Sequence, residues 1–305
     1  MTDVTHWLMD SDPAIRWQVM RDLLHEPAAV VAAERSKVAT EGWGARLLAL
    51  QDADGQWGGG TYFPAWTSTT YSLLLLREFG LDPASEQARR AIALVRDNSK
   101  WEHEGQDYFA GEVEPCINGL AVAIGSYFGQ GVQGIVERLL DEQLSDGGWN
   151  CEAENGSTRS SFHTTVDVLE GMLEYERTTG DASAVAEARR RGETYLLERG
   201  MMRRLSTGEL IDHGWSLFSF PTRYHYDVLR GLDYLRSAGV EPGDRCAEAI
   251  QLVEQKRGAD GRWLLEKAHP GEVHFHLDDG EGEPSRWITL RALRVLDWYD
   301  KGIAA

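Results

Sequence analysis

The chain has 305 residues, with 31 Lys and Arg against 49 Asp and Glu, for a formal charge of −18. That balance excludes the basic footprint that nucleic acid binding requires and a basic docking face for an anionic membrane. A content of 42% hydrophobic and 26% charged residues excludes a disordered or fibrous chain, which leaves the 11 Trp and 32 Gly as the unusual features.

The first residues, Met1-Thr2-Asp3-Val4-Thr5-His6-Trp7, lack a basic segment followed by an apolar one, so no secretory leader is expected. Apolar runs such as 73–76 fall well short of the roughly 20 residues a membrane span needs, so no transmembrane segment is expected. Cys116, Cys151 and Cys246 are odd in number and scattered. Such usage predicts no disulfide framework and a cytoplasmic location.

In chain order, Asp12-Pro13 opens an apolar helix through Ile15, Trp17 and Val19. A more charged helical stretch, 27–50, follows and ends at the turn Gln51-Asp52-Ala53-Asp54-Gly55-Gln56-Trp57. Trp66-Thr67-Ser68-Thr69-Thr70-Tyr71 leads the next apolar helix, and 85–97 is charged again. Pro115-Cys116 opens a third apolar helix, and 131–142 covers it. The turn Gln143-Leu144-Ser145-Asp146-Gly147-Gly148-Trp149 comes next, followed by Ser161-Phe162-His163-Thr164-Thr165 and a fourth apolar run. After the stretch 182–197, Arg223-Tyr224-His225-Tyr226-Asp227 leads a fifth. Stretch 242–255, the turn Arg257-Gly258-Ala259-Asp260-Gly261-Arg262-Trp263 and Ser285-Arg286-Trp287-Ile288-Thr289 complete the series.

The three turns share Asp-Gly-x-Trp, and two of them share Gln-x-x-Asp-Gly-x-Trp. With Arg16, Ser68, Cys116, His163, Arg223 and Arg286 as markers, apolar helices recur every 47 to 63 residues, one helical hairpin each. Helices apolar around most of their circumference must be buried, and amphipathic ones cover them. About six inner and six outer helices close most simply into an all-α, α/α toroid, a single domain over 1–305.

The Gln-x-x-Asp-Gly-x-Trp turns, each followed by a Thr-bearing apolar helix, resemble the repeat of squalene and oxidosqualene cyclases. Protein prenyltransferase β subunits share that toroid. The resemblance implies a hydrophobic central cavity for isoprenoid-like ligands, lined by aromatic rings that stabilise cationic charge. The cyclases use an Asp-x-Asp-Asp-Thr motif to protonate the substrate. Here 285–289 keeps Thr289 without the aspartates, and 161–165 places His163 where the middle Asp would stand. An imidazolium is too weak an acid to protonate an alkene, so cyclisation by that route is not expected.

The prenyltransferase resemblance implies zinc held by an Asp, a Cys and a His from inner-helix starts. Cys116, Cys151, His163 and His225 take such places here, and Asp167 lies one helical turn beyond His163. Thiolate, imidazole and carboxylate from separate segments would suit Zn²⁺ with an open position. His163, Cys116 and Asp167 are the candidate catalytic group. Trp66, Phe162, Tyr224, Tyr226 and Trp287 lead inner helices and are candidates for the substrate wall, with Arg223 and Arg286 beside them for a carboxylate or phosphate. The plainer roles are packing for Cys116, helix capping for His163, and pairing of the arginines with acids such as Asp227 or Glu283. The expectation is an enzyme acting on an isoprenoid or other apolar small molecule, assisted by zinc. The alternatives are a non-catalytic binder of a hydrophobic ligand and a carboxylate-based hydrolase or lyase.

Overall fold

A computed structural model describes residues 3–180 and 183–304. Met1 and Thr2, where the leader was sought, and Ala182, the first residue of the stretch 182–197, lie outside the described residues, as do Asp181 and Ala305. The chain is all-helical, as its periodicity predicts: among the described residues the only β pairings are isolated bridges such as Trp57 with Gly60. The helices are α1 (Asp3–Met9), α2 (Pro13–Asp22), α3 (Ala28–Ser36), α4 (Gly42–Leu48), α5 (Thr69–Phe79), α6 (Glu86–Asn98) and α7 (Pro115–Tyr127). They continue with α8 (Gln133–Asp141), α9 (Phe162–Thr179), α10 (Ser183–Glu198), α11 (Val228–Ser237), α12 (Ala247–Gln255) and α13 (Arg286–Ala304).

The six expected apolar helices are α2, α5, α7, α9, α11 and α13. Two boundaries differ from the sequence reading. The stretch 27–50 is broken into α3 and α4, because Gly42 turns the chain at φ 63° after a short 3₁₀ turn. The helix expected to begin near Arg223 and His225 begins at Val228: Arg223 stands at φ 58°, outside helical geometry, and Asp227 is the N-cap, accepting from the Arg230 N–H at 2.8 Å.

The chain divides into two compact units, one built from residues up to Glu34, Thr194–Pro270 and Phe275 onward, the other from Arg35–Glu193 and Gly271–His274. In the second unit α7 is buried almost throughout, while α6 and α8 bury one face each, through Ala88, Ile92 and Val95 and through Ile135, Val136 and Leu139. Two glycines let α7 and α9 touch backbone to backbone. A Cβ on Gly119 would stand 2.6 Å from the Asp167 carbonyl carbon, and one on Gly171 would stand 2.4 Å from the Gly119 oxygen. Gly119 meets Asp167, and Gly171 meets Gly119 and Val122, so the two helices run in the same direction.

The tryptophan turns fasten these layers. The Trp57 indole donates to the Leu47 carbonyl at 2.8 Å, and its backbone N–H donates to the Thr69 hydroxyl at 3.1 Å. Trp149 does the same with Leu139 and Thr165, at 2.6 and 3.1 Å. Gln51 and Gln143 each donate to the turn and to a following outer helix, at Ala91 and Ala188. Each Trp therefore ties the end of one outer helix to the start of the next inner helix, and satisfies buried backbone groups in doing so.

In the first unit Trp263 repeats the arrangement with Val253 and Thr289, at 2.7 and 3.0 Å. Its core includes Ile15 and Val19 of α2, Leu232 of α11 and Ile288 of α13. Buried Arg294 donates to Asp22 and Asp233, each at 3.1 Å. Burial pushes the Asp233 carboxyl up, but the Arg294, Arg236 and Arg291 guanidinium groups outweigh it and hold the group below the carboxylate range.

Candidate functional site

The site lies in the second unit, where α7 begins. Pro115 occupies the first helical turn of α7, which puts Glu114 at the N-cap and Cys116 one residue inside. The turn that anchors Trp149 leads directly into the 3₁₀ segment Cys151–Ala153, held by the Asn150 side chain accepting from the Glu152 N–H at 3.0 Å. These two devices bring the Cys116 and Cys151 sulfurs to 2.6 Å. The Cys116 thiol also lies 3.4 Å from the Glu114 carboxylate, and Cys151 Sγ lies 3.4 Å from the Thr164 hydroxyl.

Both thiols are half-buried and free. Their mutual contact, reinforced by burial, pushes the Cys116 thiol up. The same contact, together with the Thr164 hydroxyl, brings the Cys151 thiol down.

An aromatic core cluster lies near Cys116, whose charge acts on Tyr62 and Tyr71. Trp66 packs edge-on against Tyr71 at 4.9 Å, in one buried cluster with Leu120 of α7. Ala65, Leu74, Val273 and the half-buried Tyr62 pack against it. The Tyr71 hydroxyl donates to Tyr62 at 2.9 Å, and burial keeps both phenols neutral by pushing them above their ordinary range. Asp167 is fully buried, and its charge acts on Cys116, Tyr62 and Tyr71. The segment Gly271–His274 reaches this region, with His274 Nε2 3.0 Å from the Ser72 hydroxyl of α5.

Among the described residues, the ligand atoms of Glu114, Cys116 and Cys151 lie within 4.8 Å of one another. The structure thus brings together Cys116 and Cys151 of the expected metal set, with Asp167 close by, and adds Glu114 where His163 and His225 were expected. His163 is half-buried on the first turn of α9 and stands outside that group. His225 belongs to the first unit, stacked on His269 at 3.9 Å.

Of the expected substrate wall, Trp66 is in the aromatic cluster, and Phe162 is a buried residue opening α9. Arg223, Tyr224, Tyr226, Arg286 and Trp287 belong to the first unit. There, Tyr226 donates to the Met201 carbonyl at 2.7 Å, and Trp287 stacks on Phe220 at 4.3 Å. Arg286 donates to the Asp10 carbonyl at 3.2 Å and lies over the Trp7 ring, while Tyr224 packs on His225. These contacts give Tyr224, Tyr226, Arg286 and Trp287 packing partners within that unit.

Sequence reasoning missed Glu114, Tyr62, Tyr71 and Thr164. The signal for Glu114 is Glu-Pro-Cys itself, since a proline at the first helical position fixes its neighbours as cap and second residue. Tyr62 carries no such signal, because its loop is placed only by the folded chain.

The chain is similar to the apo structure of the type II terpene cyclase MstE from Scytonema, at 17% identity and a TM-score of 0.45, over 97% of this chain and 89% of that chain. No protein-family model and no curated protein matches the chain. Among the described residues, no helix is long and apolar enough to cross a membrane.

Proposed function

We propose that this chain is an enzyme acting on an isoprenoid or other apolar small molecule, with a zinc centre held by Glu114, Cys116 and Cys151. The observation that carries this reading is the meeting of two thiols and a carboxylate from separate segments, near an aromatic core cluster. The donor set fits the ion: two soft sulfurs and one oxygen are ligands zinc accepts, and three protein ligands leave a fourth position for substrate. Bound there, zinc would supply a Lewis acid or a nucleophile of lowered pKa.

The chain's own residues have separate tasks. Glu114 and Cys116 are presented by one helix start, so their spacing is set by the backbone. Thr164 holds Cys151 in place from α9. Trp66, Tyr71 and Leu120 offer an apolar face that excludes water and favours a hydrocarbon ligand. The neutral Tyr62–Tyr71 hydroxyl pair can hold a polar end of that ligand by hydrogen bonding. Buried Asp167 stabilises positive charge developing near the thiols. The sequence resemblance to isoprenoid-handling enzymes supports the same substrate class.

Elemental analysis of untagged protein tests this. About one zinc per chain is expected, lost in Cys116→Ser and Cys151→Ser, weakened in Glu114→Gln and kept in His163→Ala. Solvent extraction of the same preparation should release an apolar molecule that Trp66→Ala no longer retains. A zinc-free chain from zinc-supplemented cells overturns the metal centre.

A further inference from the structure

We infer that Cys116 and Cys151 form an oxidative modification site, a dithiol that closes into an intramolecular disulfide and thereby removes both sulfur ligands from the centre. The sulfurs stand 2.6 Å apart, about 0.5 Å longer than a disulfide bond. They reach this separation across 35 positions of sequence, through the start of α7 and the segment after Trp149. The pair is therefore preassembled by the fold. Both residues are partly exposed, whereas the third cysteine, Cys246, is 1% exposed in the first unit.

The step balances with a disulfide co-reactant of the glutathione class. One protein thiolate attacks the oxidant's S–S bond, forming a mixed disulfide and expelling one glutathione thiolate. The second protein thiolate, formed by loss of its proton to solvent, attacks the protein sulfur of that mixed disulfide and expels the second glutathione. The two protein thiols lose two electrons and two protons, and the oxidant gains both pairs as two glutathione thiols. Zinc binding and closure use the same sulfur lone pairs, so each state excludes the other. Closure itself rests only on the geometry; its control of the centre rests on the function proposed above.

The test uses the full chain stripped of metal with a chelator, then treated with oxidised glutathione, unfolded and alkylated. Labelling is expected to fall from three thiols to one, with a single linked peptide pair carrying Cys116 and Cys151, and dithiothreitol is expected to restore all three. Three labelled thiols after oxidation, glutathione left on either cysteine without ring closure, or a link to Cys246 would overturn the proposal. Cys151→Ser must give no internal link; should that variant fail to fold, the wild-type peptide map decides alone. A second arm repeats the oxidation on zinc-loaded protein, where closure should slow at least tenfold. Closure at the same rate with zinc present would sink the zinc centre and leave the modification site standing. Stoichiometric zinc without any closure in the stripped chain would do the reverse.

Discussion

His225 and His269 stack with parallel rings at 3.9 Å, and His269 Nε2 lies 3.2 Å from the Ser219 hydroxyl, which is itself bonded to Asp227. Burial, followed by the positive charges of His225, Lys267, Arg223 and Arg230, lowers His269 to about 3. Its unfolded value is near 6.5, so the unfolded chain binds the extra proton first. Stability contributed by neutral His269 is complete above pH 6.5 and declines as pH falls from there towards 3. His269→Gln should therefore lose less melting temperature than the wild type between pH 7 and pH 4.5. Equal losses in the two proteins would show that His269 does not titrate in the way its surroundings dictate. At the same scale, Cys116 and Cys151 are visible in the sequence as residues at repeat-related places. That their sulfurs meet is not, because the meeting depends on how far the chain winds after Trp149. That the cluster holds Glu114 and neither His163 nor His225 is hidden for a similar reason: a residue's place in the repeat says where it sits on the helix, not which side chains meet.

The α7–α9 contact is the element that positions the site, since it carries Cys116 and Asp167 on neighbouring helices. Gly119→Ala adds about 1 kcal/mol of helix propensity. The new Cβ would meet the Asp167 and Val168 backbone at 2.6 to 2.7 Å, and backbone cannot swing aside as a side chain can. Overpacking of this kind costs about 1–3 kcal/mol, and here it must separate two buried helices, so the upper part of that range applies. A net destabilisation of about 1–2 kcal/mol is expected as a lower urea midpoint, and an unchanged midpoint would contradict the close packing. The sequence marks Gly119 and Gly171 only as glycines inside apolar helices. Their purpose appears once the partner helix is known.

Over the whole chain, the helical architecture is the most legible part. Each Asp-Gly-x-Trp turn supplies a local device, with glycine at positive φ at Gly55, Gly147 and Gly261 and an indole reaching back to the preceding outer helix. Such devices act within one hairpin, so their spacing can be read without tertiary information. The strong negative charge is spread over exposed residues such as Glu86, Asp97 and Glu187, many of them paired with a neighbouring arginine on the same helix or turn. It gives no guide to the chemistry. The cluster of Glu114, Cys116 and Cys151 is the feature on which the proposed function turns. Zinc K-edge X-ray absorption on the zinc-loaded chain tests it most directly. Two sulfur neighbours at about 2.3 Å, with oxygen or nitrogen at about 2.0–2.2 Å completing the shell, are the predicted result. A shell of oxygen and nitrogen alone would contradict a centre built on Cys116 and Cys151.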